Sequence, residues 1–87
     1  MNISQLKKRL LEADTNMRFV SLDGEVRDEC LILERPESGG WCVYYSERGQ
    51  RTSEKWFIVE DEACDYIFSL VGDNRTFKNR KTGGQAA

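Results

Sequence analysis

Apolar positions in this chain recur first at helical spacing, then at a period close to two, then at helical spacing again. Over residues 2–13, NISQLKKRLLEA, Ile3, Leu6, Leu10 and Leu11 form a stripe with Lys7, Lys8 and Glu12 on the other face. Asn2 and Gln5 stand in a capping-box arrangement at its start, so the spacing predicts a short amphipathic helix. From Arg18 the pattern changes. Phe19–Leu22 reads as a short strand ended by the turn dipeptide Asp23-Gly24, and Glu29–Glu34, ECLILE, as a strand buried on at least one face.

PESGG at 36–40 is punctuation, because proline cannot continue a sheet interior and paired glycines accept turn geometries. In WCVYYS, residues 41–46, Trp41, Val43 and Tyr45 alternate with Cys42, Tyr44 and Ser46. Both sets are large, as on a central strand. ERGQ, residues 47–50, is a turn with Gly49 at its left-handed position, and Thr52–Ile58 returns as a further strand. Glu60, Asp61 and Glu62 then open a second helix that places Ala63, Cys64, Ile67, Leu70 and Val71 on one face and stops at Gly72.

The order of elements implies an α+β domain. Short connections predict a three- or four-stranded antiparallel meander sheet flanked by an N-terminal and a C-terminal helix, with both helices on one face. The 87 residues suffice for one small domain, expected over 1–73, followed by a basic, mobile tail over 74–87. Residues 1–73 carry 9 basic and 15 acidic side chains, net −6, and the tail carries 4 basic and no acidic ones. An acidic body repels phosphate backbones and attracts basic partners, which disfavours nucleic acid as the main ligand.

Several chemistries lose their usual residues. The chain has no histidine, and its three cysteines, Cys30, Cys42 and Cys64, form no CxxC pair. No metal site, no nucleophile-and-base pair and no enzymatic activity is expected from that set. The seven glycines match neither a phosphate-binding nor a dinucleotide-binding loop, so no cofactor is expected. Reduced-cysteine usage, the absence of a long apolar run and an N-terminus unlike a signal peptide point to a cytoplasmic protein without a membrane partner. Nothing in the sequence speaks to oligomeric state.

What remains is a surface for recognition. The acids Glu60, Asp61, Glu62 and Asp65 begin one helix, and Glu47, Arg48 and Glu54 surround the hairpin. Tyr and Trp are favoured at interfaces, and alternation places Tyr44 opposite Trp41 and Tyr45, and Trp56 opposite Phe57. One of these aromatic sets is expected on a sheet face without helices, with Tyr44 and Trp56 as anchors.

The segment W-C-V-Y-Y-S-E-R-G at 41–49, then Phe57 and E-D-E-A-C-D-Y-I at 60–67, resembles small immunity proteins encoded beside bacterial polymorphic or contact-dependent toxins. The resemblance spans residues 29–71. It implies a protein that binds one cognate toxin domain, often a nuclease, and covers its active site or substrate surface; the basic tail departs from that pattern. Two alternatives from other classes are a small nucleic-acid-binding module using Arg48, Arg51, Lys55 and the tail, and a phage or regulatory adaptor that binds another protein.

Overall fold

The computed structural model describes residues 1–72 and 74–79. Its elements are α1 (Ile3–Glu12), β1 (Val20–Ser21), β2 (Cys30–Glu34), β3 (Trp41–Glu47), β4 (Gln50–Phe57) and α2 (Glu60–Val71). Single turns of 3-10 helix lie at Met17–Phe19 and Arg75–Phe77. The strands form one sheet in the order β1-β2-β3-β4, an α+β architecture with a helix at each end of the chain.

The sheet is mixed, which corrects the expected purely antiparallel meander. β2, β3 and β4 pair antiparallel, but β1 runs parallel to β2, with Val20 opposite Leu31 and Ser21 opposite Ile32. The physical reason lies in the turn after β1. Asp23 does not close a hairpin there: its carboxylate accepts from the Ser21 hydroxyl at 3.2 Å and the Glu25 amide at 3.1 Å, and Gly24 takes φ +83. The chain thus loops back before entering β2, and the Arg27 guanidinium fastens the loop by donating to the Val20 carbonyl at 2.7 Å.

β3 is central and buried on both faces. Its hairpin with β4 uses a two-residue turn at Arg48 (φ 53) and Gly49 (φ 79), the pair of positive φ values that suits a twisted hairpin. The register between β3 and β4 slips once: Val43 faces Lys55 but Tyr45 faces Thr52, so β4 holds one extra residue. Ser53, at φ 56, sits in this bulge.

Both helices pack on one sheet face, over a core of Leu6, Leu10, Leu31, Leu33, Val43 and Ile67 with their neighbours. Asn2 and Gln5 form the expected capping box, each reaching the other's backbone amide at 2.8 Å. The helices run side by side in the same direction, because both their starts and their ends meet. At the starts, Glu60 accepts from the Ile3 amide at 2.8 Å and Asp61 pairs with the Met1 ammonium. At the ends, the Lys78 ammonium donates to the Gly72 carbonyl at 2.6 Å and to the Ala13 carbonyl.

Parallel neighbouring helices align their dipoles unfavourably. Carboxylates at the two positive ends and one lysine across the two negative ends offset that cost. Residues 74–79 thus pack on the helix ends: Phe77 meets Phe19 edge-on at 5.8 Å, and Asn79 donates to the Asp14 carboxylate at 3.1 Å. Positions 80–87 of the expected tail lie outside the described residues.

α2 ends at Gly72 as the sequence predicts, though the residue keeps a helical φ of −60 and uses no left-handed freedom. Space explains it better, since a Cβ there would lie 2.7 Å from the Phe68 ring.

Candidate partner-binding surface

The residues singled out from the sequence divide into three groups. The first does internal work at the start of α2. Glu60 and Asp61 are engaged with the beginning of α1, while Glu62 and Asp65 are exposed on the helix. Val59 gives α2 no side-chain cap, so the acids of the first turn are what answers its positive end. The Asp61 contact also favours the charged form of the Met1 ammonium, lifting its pKa.

The second group lies on the sheet face without helices. Cys30, Ile32, Cys42 and Tyr44 form a small buried cluster there. Tyr44 is only 2% exposed and so presents no ring to a partner. The Arg51 guanidinium covers it, 3.9 Å from the ring centroid. Two carboxylates pin that guanidinium, Glu54 at 2.7 Å and Glu34 at 3.0 Å, and it also donates to the Cys42 sulfur at 3.6 Å. Glu34 and Glu54 hold Arg51 more firmly charged than usual, whereas burial pushes the Tyr44 hydroxyl and Cys42 thiol up.

The third group remains available. Trp56, opposite Cys42 on the same face, is 57% exposed. Ile58 at 88% and Val59 at 46% extend the exposed apolar stretch from Trp56 to the start of α2. Glu47 and Arg48 are exposed at the other end of the hairpin, where the Arg48 amide donates to the Asp28 carboxylate. At about 3.3 Å per residue, β4 separates this tip from Trp56 by roughly 20 Å. The residues proposed from sequence therefore form two exposed areas, not one patch.

Glu34, Ile58 and Val59 are functional candidates that sequence reading missed, and Arg51 enters that reading only as a hairpin contact for nucleic acid, not as the cover of Tyr44. Ile58 and Val59 had a local signal, an apolar pair between a strand pattern and an acid-started helix. Arg51 had none, since its place over Tyr44 depends on hairpin register.

Among the described residues, no group of three or more His, Cys, Asp or Glu side chains is placed to hold a metal ion. All three cysteines are buried free thiols, and no described helix is long and apolar enough to cross a membrane. No protein-family model, curated protein or solved structure matches the chain.

Proposed function

We propose that this chain is a non-catalytic, cytoplasmic immunity protein that binds a cognate bacterial toxin domain and neutralises it by occlusion. The observation that carries the reading is the exposure of Trp56, Ile58 and Val59 from the end of β4 into the link to α2, in a domain whose α2 acids Glu62 and Asp65 are exposed as well. Exposed large apolar side chains suit a recognition surface, with the aromatic residue as anchor, and exposed carboxylates on the same domain steer a basic partner toward it from a distance. A nuclease toxin must be basic where it meets phosphates, so an acidic inhibitor competes for the same surface.

The test is co-expression with the toxin domain encoded directly upstream. The wild-type chain should restore growth and co-purify at one-to-one stoichiometry. Trp56→Ala combined with Glu62→Lys and Asp65→Lys should abolish both while leaving thermal unfolding essentially unchanged. Full protection by that triple variant would reject this surface, and failure to bind any adjacent toxin would reject the function.

A further inference from the structure

The helix-covered face contains a pocket that the proposed surface does not use. It lies between the last turn of α2 and the hairpin end of the sheet, with a volume of about 250 Å³ and walls from Leu31, Tyr45, Ser53, Tyr66, Leu70 and Phe77. Sites for drug-sized ligands occupy about 300–1,000 Å³, so this one fits a single side chain.

Its walls are fixed in advance. Tyr66 packs at a tilt against Phe57, ring centroids 5.3 Å apart, Phe77 meets Phe19 edge-on at 5.8 Å, and Tyr45 sits in the central strand opposite Leu31 and Thr52. The β4 bulge brings small, exposed Ser53 into the lining. None of the lining residues is charged.

The rim is acidic. Next to the Cys30–Ser46 pair stand Glu29, in the turn just before β2 with φ 51, and Glu47 at the end of β3, both exposed. Two like charges side by side repel one another. No ion pair engages either among the described residues. Alternation puts Glu47 on the same face as Tyr45, and both charges act on the Tyr45 hydroxyl, which burial and these neighbours push up in pKa.

Aromatic walls beside two carboxylates that make no ion pair among the described residues are the chemistry that receives a cation on an apolar stem. We infer that this pocket receives a lysine or arginine side chain of the partner protein, its stem against Tyr45, Tyr66 and Phe77 and its charge between Glu29 and Glu47. The inference deepens the proposed function and rests on it for the partner's identity. It adds a second contact point, at the end of the sheet away from Trp56.

The test is an amide NMR titration of the full chain with Nα-acetyl-arginine methylamide, its lysine counterpart and the uncharged citrulline counterpart. Saturable shifts at Tyr45, Ser53, Tyr66 and Phe77 are expected for a cationic probe. Affinity should fall roughly fivefold for citrulline and by a similar factor in Glu29→Gln/Glu47→Gln. Leu70→Trp, at a rim position 38% exposed, should block the pocket without unfolding the domain.

Equal binding of citrulline, or no saturable shift, would overturn the inference. It would also fall if Arg80→Gln/Lys81→Gln alone shifted these resonances and strengthened the arginine probe, because the chain's own basic tail would then be the occupant. The toxin assay separates the two proposals. Toxin capture that Leu70→Trp leaves unchanged rejects the pocket and spares the function, whereas probe binding without any toxin capture rejects the function and leaves cation recognition standing.

Discussion

The two faces of the sheet are built from the same strands and closed by different means. On one face, two helices cover Leu31, Leu33, Trp41 and Val43, and the core extends through Leu6, Leu10, Ile67 and Val71. On the other, four buried residues form a small cluster, and the Arg51 guanidinium rests on two of them, Tyr44 and Cys42, held by Glu34 and Glu54. Burial alone does not distinguish them, since Leu10 and Ile32 are both 0% exposed. The difference is in what must move to open each face: a packed helix pair, or one side chain.

That contrast is broken or upheld most directly by matched truncations. Leu10→Ala should cost about 3–5 kcal/mol in urea unfolding, because the helices around it relax only partly into the cavity. Ile32→Ala should cost about 2 kcal/mol, the low end for such a change, because Tyr44 and the alkyl stem of Arg51 can settle into the space. Equal losses would mean that the second face is as rigidly closed as the first.

Arg51→Ala sharpens the comparison at lower cost. Its side chain is 40% exposed, so two screened ion pairs and one cation–π contact together contribute about 1 kcal/mol. The larger sign should be local: Cys42 should react faster with a thiol reagent, while Cys64, on the buried side of α2, stays protected. Acceleration of both thiols in step would show that Arg51 acts on global stability and not as a local cover.

This asymmetry also marks how far the sequence could be read. The bounds of α2 and the place of β3 at the centre of the sheet were legible, because periodicity and composition are local signals. The parallel pairing of β1 was not, because two residues carry no period and their direction depends on where the Asp23–Asp28 loop returns. Alternation separated Tyr44 and Trp56 from Trp41, Tyr45 and Phe57, as the structure shows. It did not show that Tyr44 is sealed while Trp56 is open, because that follows from Arg51 and the one-residue slip at Ser53. The acids at 60–62 read as one charged group, yet α1 engages two of them, a contact between elements far apart in sequence.

The smallest expected effect separates the faces through their thiols in alkaline solution. Burial, aided by nearby Glu60, pushes the Cys64 thiol from an ordinary value of 9.0 up to about 11. Below pH 9 the thiol keeps its proton whether the chain is folded or not, and the group contributes its full share of stability. Between pH 9 and 11 the unfolded chain loses the proton while the folded chain retains it, so stability falls through this window as pH rises. On the other face, burial also lifts the Cys42 thiol, but the Arg51 guanidinium opposes the lift. Urea unfolding across this range should therefore show a shallower decline in Cys64→Ala than in wild type, with Cys42→Ala flattening it less. The reverse order would place the drier environment on the face without helices and overturn the contrast drawn between the two.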